Sequence, residues 1–472
     1  MCGVFGIVGH PQAKQFFPTV LASLQHRGHD AAGMAGFLTE GPVCIETVKG
    51  IGKVATVITK DALEKFKGTT FIGHTRYSTR NKAGSVREIH PHWAQSMRGK
   101  LAIVSNGDII NIEELKQHVA SKEVKVYTSN DAEMIATLIN IQIRRAGKKV
   151  FQAIKESMKQ LKGGYAALVI MEDDNRIFAF RDPWGIRPLH VGEFVINGQK
   201  CVAFASETCA FDVIQRYNEA RYPENKISYT HREVLPGEVV AADANALVES
   251  SLFQNPAADR IGCVFEGIYF SRPDSQERGE SFQVLRERMG MELFKESPID
   301  ADMVTSVPKG GIPSAVGFSK VSGLPYSISI LEEPTTGGIR SFTTNSDERQ
   351  ALATMKYNIL PDVVTGKRLI VIDDSIVRGT TTRLLVRNLF RAGAKEIHLR
   401  IPCPPYNYPC HYGIATRDPE TLISHNRTVD EICREIGATT LAYLSLEGLY
   451  RAIAKQRTQF CDECLSGRSP LN

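Results

Sequence analysis

Two folded halves of different architecture are what this 472-residue chain predicts: a layered α/β unit, then an α/β unit built on a parallel sheet. Three observations lead there. The length exceeds what one core fills and suits two domains of roughly 200 to 250 residues. As far as about Leu252, short apolar strands are broken by Gly, Asn and Asp. Beyond that point apolar runs alternate with helical patterns, which predicts parallel strands joined by crossover helices.

In the first half the periodicity predicts helices around Lys14–Gln25, Ala132–Arg145 and Val150–Leu161. Pro236–Glu238 reads as a turn into a late strand carrying Val239 and Val240. Between Phe253 and Asp259 the composition turns polar, with Asn255, Pro256 and two alanines, and a connector belongs there. The boundary falls near residue 258, giving domains 1–258 and 259–472. In the second half, strand-like runs Met303–Val307, Tyr326–Leu331 and Arg368–Ile372 alternate with helical stretches Ser314–Ser322 and Thr381–Ala392.

Composition narrows the function. An apolar fraction of 42% and a charged fraction of 23% are those of ordinary globular proteins. A net charge of +5, without a long Lys/Arg run, gives no track for a nucleic-acid backbone but suits small phosphorylated ligands. No apolar stretch approaches the roughly 20 residues that span a bilayer, and no basic segment precedes a cleavable apolar run. A cytoplasmic protein is therefore expected. Ten cysteines in such a chain argue against a disulfide scaffold and for chemistry, metal binding or burial.

Cys2, followed by Gly3-Val4-Phe5-Gly6-Ile7-Val8-Gly9, is the first candidate. Removal of Met1 would leave a thiol and a free α-amine on one residue, nucleophile and base together. Four further segments carry groups suited to a small zwitterion: Leu24–Gly28, Gly73–Thr79, Ser105–Asp108 and Ser129–Asp131. An amino-acid substrate needs an Arg fork for its carboxylate and an acid for its ammonium. Hydrolysis of an amide needs donors on the developing oxyanion, and Asn106 beside the Gly107 N–H supplies two. Asn-Gly is also a common hairpin pair.

Together, Cys2–Gly9, Leu24–Gly33, Gly73–Thr79, Asn106-Gly107 and Ser129–Met134 resemble the glutaminase domain of the N-terminal-nucleophile class II amidotransferases. Within that class the chain is most similar to the amidophosphoribosyltransferases, the glutamine phosphoribosylpyrophosphate (PRPP) amidotransferases of purine synthesis. The resemblance implies an αββα sandwich for the first half. It implies Cys2 as nucleophile with its α-amine as base, and Asn106 and Gly107 as the oxyanion hole. It also implies Arg76 on the glutamine carboxylate, Asp131 on the ammonium, and Arg27 ordering the nucleophile's surroundings.

Val371–Thr381 is the most specific run in the chain. An apolar strand delivers Asp373 and Asp374 to its C-terminal end, and a short loop then enters a helix near Thr381. Such a loop offers N–H groups and hydroxyls at a helix N-terminus, which favour a phosphate, while paired acids meet ribose hydroxyls or magnesium. The run resembles the PRPP signature of type I phosphoribosyltransferases, implying Asp373 and Asp374 on ribose and Mg2+ and Ser375, Arg378, Gly379, Thr380 and Thr381 on the 5-phosphate. Two loops depart from that family. Lys309-Gly310-Gly311 stands where acidic and small residues are usual, and Leu331–Phe342 lacks the basic start of the family's flexible loop, although Arg340, Arg349 and Lys356 fall on basic positions. Glu332 and Glu333 would oppose a nearby pyrophosphate.

Cys461 and Cys464 form a Cys-x-x-Cys pair, and with Cys263 and Cys410 they fall on the positions that ligate a 4Fe-4S cluster in one branch of the family. Four thiolates meet that need; zinc is the chemical alternative. Cys44, Cys201, Cys209, Cys403 and Cys433 read as packing residues.

The resemblance covers almost the whole chain and implies a bifunctional enzyme making 5-phosphoribosylamine, glutamate and pyrophosphate from glutamine, PRPP and water. It further implies a dimer or tetramer inhibited by purine nucleotides. Two other readings stay open because of the loop departures: a glutaminase serving another ammonia acceptor, and a module that senses PRPP or nucleotides without chemistry.

Overall fold

The computed structural model describes residues 1–41, 43–77, 85–96, 98–244, 247–252, 262–333, 356–454 and 459–471. The backbone packs as two units: Met1–Cys263 with His411–Ala415 and Leu471, and 264–410 with 416–470. The expected connector and boundary at 253–259 lie outside the described residues.

The first unit holds two antiparallel sheets. One has seven strands, ordered Ile227–Glu233, His190–Ile196, Gln199–Ala205, Gly3–Val8, Phe71–Arg76, Ala31–Phe37 and Ile45–Ile51. The other has six, ordered Leu247–Leu252, Glu238–Ala242, Asp174–Arg181, Gly163–Met171, Gly99–Ile109 and His92–Ser96. Strand periodicity sorts their side chains into layers. From Gly3–Val8, Phe5 and Ile7 pack with Phe16, Phe17 and Phe211 of helices Ala13–Ser23 and Cys209–Arg221. Val4 and Val8 turn the other way, into an apolar layer with Val104, Leu168 and Ile170 of the second sheet. On the far side Tyr165, Val169 and Met171 pack with Ile135, Ile139 and Ile154 of helices Asp131–Ala146 and Val150–Met158. The order helix, sheet, sheet, helix is the expected αββα sandwich. Each buried Phe or Ile stabilises it by about 1.5–3 kcal/mol relative to exposure.

The expected helices form with shifted ends. The third stops at Met158, because the Leu161 N–H reaches back only to the Met158 carbonyl (3.2 Å), closing a turn.

In the second unit Met303–Ser306, Arg368–Ile372, Glu396–Ile401 and Thr440–Tyr443 form a four-stranded parallel sheet in that order. Helices Ile312–Ser322, Thr380–Arg391 and Val429–Ile436 lie between them in sequence. Leu369 to Ile372 are all buried, as befits a parallel strand covered on both faces. The run expected to be a strand at Tyr326–Leu331 differs. Tyr326 makes a single parallel bridge to Val304, and the strand that follows, Ile330–Glu332, pairs instead with Tyr357–Ile359.

Candidate active sites

Cys2 sits where the first strand begins, and two long-range bonds hold it. Its N–H donates to Asn106 Oδ1 at 3.0 Å, and its carbonyl accepts from Arg27 Nε at 2.9 Å. Arg27 is fully buried and its Nη1 meets Glu207 Oε1 at 2.6 Å, an oxygen that also receives His26 Nε2 at 2.7 Å. Burial alone would raise the Glu207 carboxyl, but the facing His26 and Arg27 hold it well below the usual carboxylate range. The thiol approaches the Tyr77 carbonyl at 3.8 Å. Met1 is buried, with its sulfur 2.7 Å from Arg187 Nη1.

Asn106-Gly107 makes no hairpin. Both residues lie inside strand Gly99–Ile109, opposite Ala166 and Tyr165. Gly107 has φ +133°, and a Cβ there would run into the Gly164 carbonyl, so only glycine keeps this strand pairing intact. Asn106 Nδ2 is buried with no hydrogen-bond partner among the described residues. An amide left so in a native interior is costly, which marks it as awaiting an acceptor. Asp131 opens a helix whose cap is Asn130, with Oδ1 accepting the Ala132 N–H at 2.9 Å. Asp131 Oδ2 accepts the Ile109 N–H at 2.6 Å. Arg76 ends strand Phe71–Arg76, and its Nη1 is likewise buried without a partner among the described residues.

Cys2, Arg76, Asn106, Gly107 and Asp131 line one cavity of about 70 Å3. The sequence expectation thus converges in space, with Arg27 behind the nucleophile. Ser78 and Thr79 lie outside the described residues. Three contributors had no sequence signal singling them out: Glu207, which pairs with Arg27, and Glu88 and His90, which join the cavity lining. Glu88 Oε1 accepts the Ser129 N–H at 3.1 Å and Oγ at 3.2 Å.

The second site lies at the end of strand Arg368–Ile372. The Asp374 N–H donates to Asp373 Oδ1 (3.0 Å), and Ser375 Oγ to Asp374 Oδ1 (2.7 Å). Burial pushes the Asp374 carboxyl up to about 6, tempered by Ser375, Arg286 and Lys356. Burial, with the neighbouring Asp374 charge added, raises Asp373 further. Two crowded acids reluctant to ionise together fit a divalent cation or hydroxyl donors. Gly379, with φ +73°, precedes helix Thr380–Arg391, whose first turn has no side-chain cap. Arg378, Thr380 and Thr381 are exposed there, leaving backbone donors and hydroxyls open to an anion.

The unusual Lys309-Gly310-Gly311 loop packs on this acidic pair. A side chain at 310 would collide with the Asp374 carboxylate, so glycine is required. Lys309 Nζ meets Glu332 Oε2 at 2.5 Å. The two departures therefore offset one another, the acid of the second loop facing the cation of the first. Lys356 acts on both aspartates; 334–355, with Arg340 and Arg349, lie outside the described residues.

Cys263, Cys410, Cys461 and Cys464 are all buried. The Tyr408 N–H donates to the Cys464 carbonyl at 3.0 Å, bringing the Cys410 loop beside helix Glu463–Ser466. Among the described residues, no group of three or more His, Cys, Asp or Glu side chains is gathered closely enough to hold a metal ion. Four buried thiols suit a cluster chemically.

A nucleophile-bearing strand end in an αββα sandwich, joined in one chain to a parallel sheet whose acidic strand tip faces an open helix N-terminus, defines a class: glutamine amidotransferases coupled to phosphoribosyl chemistry. Residues 74–213 match the family described as glutamine amidotransferase domain. Amidophosphoribosyltransferase of Synechocystis sp. is 39% identical over 473 residues, covering 100% of this chain and 91% of the relative. That of Bacillus subtilis is 39% identical, covering 98% and 92%. That of Methanocaldococcus jannaschii is 36% identical, covering 100% and 98%. The solved B. subtilis glutamine PRPP amidotransferase complexed with ADP and GMP superimposes with a TM-score of 0.86 at 37% identity, over 99% of this chain and 97% of that one. A structure described as the allosteric regulatory enzyme of purine biosynthesis gives a TM-score of 0.87 at 38% identity, over 99% and 96%. The chain belongs to the amidophosphoribosyltransferase family. Its reaction is the first step of purine synthesis, forming 5-phosphoribosylamine, glutamate and pyrophosphate from PRPP, glutamine and water.

Proposed function

We propose that the two halves of this reaction are divided between the Cys2 cavity and the Asp373–Thr381 loop. One observation carries the first assignment: around Cys2, Asn106 Nδ2 and Arg76 Nη1, both without a partner among the described residues, belong to side chains that share a cavity with Asp131. Arg76 takes the glutamine carboxylate and Asp131 its ammonium. With Met1 removed, the Cys2 amine accepts the thiol proton as sulfur attacks the side-chain amide carbon. The oxyanion is held by Asn106 Nδ2 and the Gly107 N–H; its collapse expels ammonia, which takes the proton back. Water then hydrolyses the thioester to glutamate. Each oxyanion donor is worth about 10²–10³ in rate.

At the second site ammonia attacks the anomeric carbon of PRPP and pyrophosphate departs. Ser375, Arg378, Gly379, Thr380 and Thr381 hold the 5-phosphate, and Asp373 and Asp374 hold the ribose hydroxyls. These acids would also hold Mg2+, which supplies charge neutralisation of the pyrophosphate when bound. Cys263, Cys410, Cys461 and Cys464 would carry a 4Fe-4S cluster, with zinc the lesser alternative; no step passes through it. Binding of ADP and GMP by the B. subtilis relative supports regulation by purine nucleotides. We expect a cytoplasmic homo-oligomer, dimer or tetramer; no described helix is long and apolar enough to cross a membrane. Homology along the whole length leaves the other-acceptor and sensing-module readings without support.

The test is PRPP-dependent pyrophosphate release by anaerobically purified protein, with glutamine and with ammonium as nitrogen donors. Cys2→Ser should abolish the glutamine reaction and leave the ammonium reaction. Equal loss of both would refute the division.

A further inference from the structure

Three buried histidines converge beside the Cys2 cavity. His74 and His90 stack, with ring centroids 4.0 Å apart and planes within 9°, and His92 meets His90 edge-on at 5.0 Å. One residue grips both stacked rings from its backbone: the Ser105 N–H donates to His90 Nδ1 at 3.3 Å, and the Ser105 carbonyl pairs with His74 Nε2 at 3.0 Å. Ser105 immediately precedes Asn106, so the stack is tied to the strand that carries the amide donor.

These bonds assign the protons. A ring nitrogen that accepts an N–H must offer its lone pair, so the neutral His90 ring carries its hydrogen on Nε2. Burial, reinforced by His74, His92, Arg76 and Lys49, keeps His90 uncharged, and burial holds His74 and His92 at about 3. Those are the charged and titratable groups that act on His90. His90 is 5% exposed and lines the cavity, with Nδ1 taken by the Ser105 N–H and Nε2 left as the ring's donor. An N–H on a ring that lines the cavity is available to a ligand that brings an acceptor.

Taking the Cys2 cavity as the glutamine site, on which this inference rests, the substrate brings two acceptor groups. The side-chain oxygen belongs to Asn106 and Gly107. The α-carboxylate remains, beside Arg76, whose guanidinium is among the charges felt at His90. We propose that His90 is a glutamine-binding residue that donates its Nε2–H to the substrate α-carboxylate next to Arg76. A neutral donor suits this place, because it adds a directed bond without crowding a further positive charge against Arg76 and Lys49.

The experiment measures glutamine KM and kcat for His90→Phe, which keeps a flat ring for the stack and removes the donor, and for His90→Gln, which restores a neutral donor. The ammonium-dependent rate of each variant reports on folding at the other site. Loss of a hydrogen bond to a charged acceptor predicts a glutamine KM raised about 10- to 100-fold in His90→Phe. kcat should change much less, and His90→Gln should recover most of the loss. The wild-type KM should show no limb near the ordinary imidazole pKa of about 6.5. An unchanged KM in His90→Phe, equal damage in both variants, or an imidazole limb that His90→Phe removes would overturn the proposal. Cys2→Ala separates the failures: glutamine use surviving that change would refute the cavity itself, whereas its loss beside a normal His90→Phe would refute only the histidine.

Discussion

Arg27 and Glu207 form an ion pair, buried on both sides, whose guanidinium also holds the Cys2 carbonyl. The nucleophile is thus anchored by residues 25 and 205 positions away in sequence (27 − 2 and 207 − 2).

Removing one member strands the other's charge, so Glu207→Gln should destabilise the first unit by about 3–5 kcal/mol. Its pH dependence has a definite sign. The folded carboxyl titrates below its unfolded value, so its contribution is complete above the ordinary carboxyl pKa of about 4.3 and disappears as pH falls toward the folded value. Denaturant titrations over an acid series on wild type and Glu207→Gln should show that difference closing with acid. A constant gap would contradict it.

The acidic pair of the second unit runs the opposite way. Asp374 titrates at about 6, above its unfolded value, so the folded state loses stability as pH rises between the two values. Asp374→Asn should then stabilise the ligand-free protein at neutral pH by on the order of 1–3 kcal/mol while removing synthesis. Thermal melts paired with pyrophosphate assays check this. A variant both less stable and inactive would mean that the carboxylate serves the fold.

Lys309 and Glu332 are a surface pair, worth about 0–1 kcal/mol. Their effect should appear in substrate binding instead. Glu332→Gln removes an anion beside the acidic site and releases Lys309, and the PRPP KM should fall several-fold; Lys309→Ala should raise it. Melting temperatures should scarcely move in either variant.

If the four cysteines carry a cluster, anaerobic protein should contain about four irons and four acid-labile sulfides per chain. Cys464→Ser should lose them. Zinc alone in the as-purified protein would select the alternative, and metal-free protein with full activity would leave the thiols as packing residues.

The local chemistry was legible in the chain. Val371–Thr381 announces a strand, two acids and a helix entry because each step depends on neighbours in sequence, and the strand forms over the expected Arg368–Ile372. The alternation of the second half specified a parallel sheet for the same reason: buried strands are continuous apolar runs. Cys2, Arg76, Asn106, Gly107 and Asp131 were recognisable by type and motif.

What tertiary structure decided is how those groups are held. Asn106-Gly107 reads equally as a hairpin turn, and only pairing with Ala166 and Tyr165 makes it the interior of a strand. Glu207 has no local mark of importance; its partner, Arg27, arrives through the stacking of strands and helices in the first unit. His90 is an ordinary residue before a proline until Ser105, 15 positions later, assigns its proton and the cavity exposes its other nitrogen. Lys309 and Glu332 look like two unrelated losses of the family pattern, and folding turns them into one ion pair. Burial, tautomer and charge pairing are set by groups distant in sequence, so short-range pattern carries no record of them.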